Sequence, residues 1–215
     1  MNKKLLRELL YIYAEIKPDI KGRIKEFKKV RKRMQRDELF YELGFCLLTP
    51  QSKAITCWES ICLIKKNLKK NYKNKEILPY LSGVRFKYKK AEYFIEAQKK
   101  WYSIDDNSLY KKLYSCKDAS EMREFLVNNV KGLGYKESSH FLRNIGYGKI
   151  FAILDRHILK NLKLLGIIKS VPKSITKNLY FAIENKMILF AKKVAIPMSH
   201  LDFVLWYKEA GKVFK

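Results

Sequence analysis

Apolar residues recur every three or four positions along almost the whole chain, the spacing that places them on one face of an α-helix. Strict alternation of apolar and polar residues, the pattern of a half-buried strand, is hard to find. We therefore predict an all-α protein with about ten or more helices. At 215 residues the chain can bury a sizeable core. No internal repeat or low-complexity linker divides it, so we expect residues 1–215 to form a single helical unit in which any two lobes are interleaved and fused.

Helix boundaries are predicted where proline, glycine and capping residues interrupt the periodicity. The apolar stretch 39–48 is typical of a buried helix that ends at Thr49, because proline at position 50 disfavours helical geometry in the residue before it. A second helical pattern over 52–68 runs into a lysine- and asparagine-rich segment, 65–75. We interpret that segment as a solvated helix end and loop.

Capping patterns predict the starts of the later helices. The motif from Asp118 to Glu121 fits a capping box and predicts a helix over 119–130. A further helix is predicted from about 136 to Gly146 or Gly148, and Asp155 is a candidate N-cap for a helix that ends near Gly166. Two more starts are predicted at 171–174 and at 199–202, the latter helix ending near Gly211.

The charge balance indicates a polyanionic partner. Lys and Arg total 46 against 21 Asp and Glu, which gives a formal net charge of +25. Nucleic acid is the usual partner of so basic a chain. Most of the positive charge is lysine, so a general compositional drift towards lysine is the alternative explanation.

Cysteine usage and hydropathy exclude several classes of protein. The four cysteines are too few and too unevenly spaced for a disulfide scaffold, and they form no compact metal-ligand cluster. Cys57 and Cys62 are expected to be buried free thiols. No run of eighteen apolar residues and no signal-peptide core is visible, so we expect an intracellular protein without a membrane span.

A Gly-x-Gly turn, Gly132 to Gly134, separates the two helices predicted over 119–130 and from 136. Glycines lack a Cβ, so the backbone can turn sharply and approach a ligand closely. At a helix N-terminus such a turn presents free N–H groups to an anion, and we interpret this anion as a DNA phosphate. The motif alone is a weak signal, since many helix–helix turns contain it.

Lys136 and Asp155 add chemistry to this turn. An exposed lysine is normally protonated and solvated, but in a desolvated cleft it can lose its proton and act as a nucleophile. Attack on a sugar C1′ would expel a base and leave a Schiff base. A carboxylate at Asp155 can accept the amine proton or stabilise positive charge on the sugar. The alternatives are a solvated surface lysine and an ordinary helix cap.

The segments Gly-Leu-Gly-Tyr-Lys at 132–136 and Leu-Asp-Arg-His at 154–157 resemble the helix-hairpin-helix DNA glycosylase superfamily. The longer stretch 130–147 and the tail from Leu201 are similar to the second type of 8-oxoguanine DNA glycosylase, found in archaea and some bacteria. The resemblance covers most of the chain from about residue 39. It implies the helix-hairpin-helix glycosylase fold, in which two closely packed helical lobes have the active-site cleft between them. It implies a bifunctional glycosylase and apurinic-site lyase, with Lys136 as nucleophile and Asp155 as the shared aspartate.

The resemblance also implies roles for other residues. Phosphate contacts would come from the hairpin and its flanks, at Gly132, Gly134, Lys131 and His157, although His157 is equally well explained as structural. Many superfamily members have proline where this chain has Lys131.

Base flipping and base recognition would use four more residues. Gln51 would fill the hole left by the flipped base and Phe86 would wedge into the other strand, while Trp206 and the carboxylate of Lys215 would contact the oxidised purine. The alternatives are core positions for Phe86 and Trp206, and a frayed chain end for Lys215.

The resemblance implies duplex DNA containing 8-oxoguanine as the partner, a monomer, and a cytoplasmic, nucleoid-associated prokaryotic protein. It implies no required cofactor, with room for a monovalent cation at the hairpin. An iron–sulfur cluster of the endonuclease III kind is disfavoured because no cysteine follows Cys116. Two alternatives stay open: a glycosylase for another damaged base, and a non-catalytic helix-hairpin-helix DNA-binding module.

Overall fold

Eleven α-helices and one short 3-10 helix, Leu78–Leu81, make up the regular structure of residues 2–68 and 72–215, which are the residues that the computed structural model describes. This confirms the all-α prediction. The α-helices are α1 Lys3–Arg33, α2 Arg36–Leu48, α3 Ala54–Asn67, α4 Asn74–Ile77, α5 Lys87–Trp101, α6 Leu109–Ser115, α7 Ala119–Asn129, α8 Tyr135–Asn144, α9 Arg156–Leu164, α10 Lys177–Lys193 and α11 Met198–Ala210. No described helix combines the length and the apolar character needed to cross a membrane.

The predicted caps at Asp118 and Asp155 are confirmed. Asp118 Oδ1 accepts hydrogen bonds from the backbone N–H groups of Ser120 and Glu121, at 2.8 and 2.9 Å. Asp155 Oδ1 accepts from His157 and Ile158, at 2.9 and 2.8 Å. These bonds satisfy N–H groups that the first turn of a helix leaves without a partner, so α7 and α9 begin where the sequence indicates.

Two predicted helix starts are wrong. The start expected at 171–174 lies later, because the Thr176 hydroxyl caps α10 by accepting the Leu179 N–H at 3.4 Å. The start expected at Ser199 lies earlier: Pro197 precedes α11, and its carbonyl accepts the N–H groups of His200 and Leu201. Asp202, the expected partner of Ser199 in a capping box, instead pairs with Arg143 in the interior.

Two smaller expectations concern the cysteines of α3 and the segment 65–75. Cys57 is buried but Cys62 is exposed, because five residues turn an α-helix by about 140° and place the two thiols on different faces. In the segment 65–75, expected to be a solvated helix end and loop, α3 ends at Asn67 and α4 begins at Asn74. Residues 69–71 of this segment lie outside the described part of the chain.

The buried side chains form two hydrophobic cores. The first core is built mainly from α2, α3, α5, α7 and α8. The second core joins α1, at the start of the chain, to α9, α10 and α11 at its end. The chain passes from the first core to the second between Phe151 and Ala152, only a few residues before Asp155. The hairpin spans the same boundary, since Leu133 is buried in the first core and Tyr135 packs against the second.

Candidate active site

The turn between α7 and α8 contains Gly132, where any other residue would be strained. Gly132 has φ +90°, and a Cβ at this position would lie 2.4 Å from Cδ2 of Tyr93. Gly134 is extended and directly precedes α8. The predicted Gly-x-Gly turn between two helices is therefore present, and the ring of Tyr93 on α5 packs against Gly132.

Lys136 is the second residue of α8, and its side chain is only 22% exposed. Its Nζ lies 3.2 Å from Oε1 of Glu137. The other carboxylate oxygen of Glu137 accepts the N–H of Gly134 at 3.3 Å. Among the described residues, the carboxylate paired with Lys136 is thus that of Glu137 and not that of Asp155.

The sequence interpretation did not single out Glu137. Its position three residues after Gly134, in the first turn of a helix, is the signal that could have found it.

The segment before Asp155 is held by buried polar groups. Glu184 Oε1 accepts the Ala152 N–H at 2.7 Å, and the Tyr180 hydroxyl donates to the Ala152 carbonyl at 2.5 Å. Arg123 donates to both oxygens of Glu184, at 2.8 and 3.0 Å. We call Arg123, Glu184 and Tyr180 the clamp. It fixes the backbone that leads into Asp155 against α7 and α10.

Gln51 and Phe86 occupy the tips of two adjacent turns. Both residues have left-handed backbone conformations, with φ +55° and +57°. Gln51 is exposed, and Phe86 is 59% exposed, so the alternative that places Phe86 in the core is wrong. The hydroxyl of Ser52, next to Gln51, accepts the backbone N–H of Arg85 at 2.9 Å. The structure therefore brings the two predicted DNA-inserting residues together at the surface.

Lys215 lies in a cavity and is not a frayed end. Its side chain is 11% exposed and forms an ion pair with Glu42. Its Nζ lies 3.2 Å from the ring centroid of Trp58. Burial lowers the pKa of the Lys215 ammonium, and Glu42 opposes that shift. The cavity measures about 370 Å³, and α1, α2 and α3 supply its other walls, through residues that include Arg23, Phe27, Tyr41, Glu42 and Trp58.

A buried polar chain leads from this cavity to α11. Oε2 of Glu42 accepts from Asn144 Nδ2 at 3.1 Å, and Asn144 Oδ1 accepts from Arg143 Nε at 3.3 Å. Arg143 in turn pairs with Asp202. Burial raises the pKa of Asp202, although the adjacent Arg143 favours its ionised form. Neither Glu42 nor Asp202 was predicted to serve the site, because only the tertiary fold brings them to it.

The contacts of the remaining predicted residues do not test their predicted roles. Trp206 is half-buried against the second core and does not line the Lys215 cavity. The Lys131 side chain is 62% exposed, with its Nζ 3.8 Å from Glu96. Nδ1 of His157 lies 3.5 Å from Glu209. Their assigned roles in base recognition and phosphate binding stay predictions.

His140 is a further buried group that sequence reasoning missed. Its ring packs edge-on against Phe45, with 5.4 Å between centroids. Burial, reinforced by the nearby cations Arg143 and Lys136, lowers the pKa of His140 well below its usual value. The imidazole is therefore neutral near pH 7.

Comparison with known proteins identifies relatives along the whole chain. A family model described as 8-oxoguanine DNA glycosylase matches residues 20–196. The 8-oxoguanine DNA glycosylase/AP lyase of Fusobacterium nucleatum is 44% identical over 211 residues, covering 97% of this chain and 96% of the relative. The protein of the same name from Methanocaldococcus jannaschii is 38% identical, covering 94% of each chain.

Solved structures agree with these sequence relatives. The crystal structure of the 8-oxoguanine DNA glycosylase of Thermotoga maritima matches with a TM-score of 0.87 and 35% identity, covering 99% of both chains. The Methanocaldococcus jannaschii 8-oxoguanine glycosylase/lyase, in complex with a 15mer DNA containing 8-oxoguanine, matches with a TM-score of 0.88 and 35% identity, covering 99% of this chain and 100% of that one. On its hairpin, its all-helical fold and these full-length matches, the chain belongs to the 8-oxoguanine DNA glycosylase family.

Proposed function

We propose that this protein is a DNA glycosylase with apurinic-site lyase activity that removes 8-oxoguanine from duplex DNA in base excision repair. The observation that carries the proposal is the half-buried Lys136 directly behind the Gly132–Gly134 turn, at the boundary of the two cores. The relatives named as 8-oxoguanine DNA glycosylase/AP lyases support the same lesion and the same two activities.

In the proposed reaction, the neutral amine of Lys136 attacks C1′ of the damaged nucleotide and the bond from C1′ to the base breaks. The base leaves with the electron pair of that bond and is then protonated. The attached amine then loses a proton, and the C1′–O4′ bond breaks, so that the sugar ring opens, O4′ is protonated and a Schiff base forms. Removal of a proton from C2′ of this Schiff base eliminates the phosphate on the 3′ side. Asp155 stabilises the positive charge that develops on the sugar, because its Oδ1 is fixed by two backbone N–H groups and its orientation is therefore set before DNA binds.

The hairpin holds DNA through its backbone. The N–H groups around Gly132 and Gly134 lie at the N-terminus of α8, where an anion is stabilised, and the side chains of Lys131 and His157 add further contacts to the phosphate. In the free protein Glu137 accepts the Gly134 N–H, so an arriving phosphate displaces or shares this partner. A monovalent cation can bind at the same turn, and no other cofactor is required.

The target base leaves the helix and enters the protein. Gln51 fills the vacated position and Phe86 enters the opposite strand, both from exposed turns that the structure places side by side. Trp206 and the Lys215 end of the chain contact the oxidised purine. The protein acts as a monomer on chromosomal DNA in the cytoplasm of a prokaryote.

Borohydride trapping tests the chemistry. The wild-type protein is incubated with duplexes that contain 8-oxoguanine, uracil, thymine glycol or only normal bases. We expect a covalent adduct with the 8-oxoguanine strand alone, absent in Lys136→Gln and present in Lys149→Gln, which removes an exposed lysine away from the hairpin turn.

Each other outcome corrects a different part of the proposal. An adduct with another lesion keeps the lysine chemistry and changes the substrate. Trapping by Lys136→Gln shows that a different amine is the nucleophile. DNA binding without an adduct on any duplex indicates a non-catalytic hairpin module.

A further inference from the structure

Lys90 is a buried lysine whose hydrogen bonds all go to one turn. It lies on α5 and is 5% exposed. Its Nζ donates to the carbonyl oxygens of Leu48 and Pro50, at 2.7 and 2.6 Å, and to the hydroxyl of Ser52 at 2.9 Å. Among the described residues no carboxylate pairs with it. An ammonium has three N–H donors, and here all three are used by residues 48–52.

Gln51 lies between the acceptors of Lys90. Its left-handed backbone, φ +55°, is a strained conformation for a residue with a Cβ. The bonds from Lys90 to Pro50 and Ser52 fix the residues on either side of Gln51. The Lys90 ammonium thus maintains the strained conformation of Gln51 from the buried side of the turn, while the Gln51 side chain is exposed.

The same hydrogen-bond set reaches the second turn. Ser52 Oγ binds Lys90 and also accepts the backbone N–H of Arg85. Arg85 directly precedes Phe86, the second exposed residue with a left-handed backbone. A single buried amine and a single hydroxyl therefore connect the tips of both turns.

We propose that Lys90 is a positioning residue for base flipping, which holds the Gln51 and Phe86 turns together in the conformation that enters DNA. This inference rests on the proposed function, and specifically on insertion of these two side chains. Lys90 does not contact the substrate and acts through the backbone of the two turns.

The burial of Lys90 disfavours its charged form, and its three hydrogen bonds are what an amine contributes at this position. Burial lowers its pKa to about 8, and the nearby cations Lys136 and Arg85 act in the same direction, while the Cys57 thiol and Glu137 oppose them. A lysine so desolvated is retained at a cost in folding stability. A methionine could fill the space, but it could not bond to three acceptors in the turn.

The experiment compares two substrates with one variant, Lys90→Met. Single-turnover excision is measured on a duplex with 8-oxoguanine, and strand cleavage on a duplex with a preformed abasic site. We expect excision to fall by about tenfold or more, since a small misplacement of aligned groups is enough for such a loss. Cleavage of the abasic duplex should stay near wild type, because no base has to be unstacked. Lys89→Met, on the exposed neighbour that pairs with Glu92 at 2.8 Å, is the matched control and should leave both rates unchanged.

A double variant gives an independent readout. If Lys90 acts through Gln51, Lys90→Met combined with Gln51→Ala should lower excision no further than the more severe single change. Should Lys90→Met not fold, Ser52→Ala removes the shared hydroxyl and should reduce excision selectively in the same way.

Two results would overturn the inference: equal losses on both substrates, which indicate a general packing role, or unchanged excision in a folded Lys90→Met. Failure of the proposed function is a separate result, since the wild-type protein itself would then not act on 8-oxoguanine.

Discussion

At the residue scale, the carboxylate of Glu137 contacts both the hairpin backbone and the amine of Lys136. Glu137 accepts the Gly134 N–H with one oxygen and faces Lys136 Nζ with the other. The ammonium of Lys136 must pass a proton to an acceptor before the amine can attack. Glu137, at 3.2 Å, is placed to accept it.

We therefore predict that Glu137→Gln slows covalent trapping by about 10²-fold, the lower end of general acid–base effects, without loss of DNA affinity. The amide keeps an oxygen for the Gly134 N–H but cannot accept a proton from Lys136. Trapping rates and dissociation constants at one fixed salt concentration measure the two effects. Glu59→Gln makes the same charge change on an exposed part of α3 and should alter neither. An unchanged trapping rate in Glu137→Gln would leave Asp155 as the acceptor.

At the scale of elements, the hairpin requires a residue without a Cβ at position 132. At Gly132 a Cβ would meet both an unfavourable backbone conformation, φ +90°, and the ring of Tyr93. We predict that Gly132→Ala costs at least about 1–2 kcal/mol of unfolding free energy and weakens DNA binding. Urea denaturation and binding titrations measure the two. Gly22→Ala is the control: it lies in α1 with nothing within 4 Å, and should stabilise the protein by about 0.5–1 kcal/mol. Equal effects of the two changes would contradict this account.

Local signals predicted these elements well where the deciding interaction is itself local. The caps at Asp118 and Asp155 bond within three residues of themselves, so the start of each helix can be read from its own sequence. The start of α11 could not be predicted in this way, because Asp202 forms an ion pair with Arg143, fifty-nine residues away along the chain. The same limit applies to the site. Lys136 and the turn are visible as a motif, whereas Lys90, Glu42 and the clamp gain their roles only from tertiary contacts.

At the scale of the whole molecule, the clamp joins the two cores beside the site. Arg123 comes from α7, Glu184 from α10, and the bonded Ala152 lies where the chain crosses between the cores. The guanidinium also stacks over the ring of Phe151, 4.2 Å from its centroid. Because both charges are almost completely buried, each depends on the other for its compensation.

Removing one partner should therefore cost more than removing both. We predict that Arg123→Met lowers the unfolding free energy by about 3–5 kcal/mol, since it leaves a buried carboxylate without its cation. Arg123→Met combined with Glu184→Gln should recover part of that loss, because the neutral amide keeps an oxygen for the Ala152 N–H and carries no charge to compensate. Urea denaturation of the three proteins measures the coupling. If the double variant were less stable than Arg123→Met, Glu184 would stabilise the fold chiefly through contacts other than the ion pair, and the clamp would not be the connection between the cores that its geometry indicates.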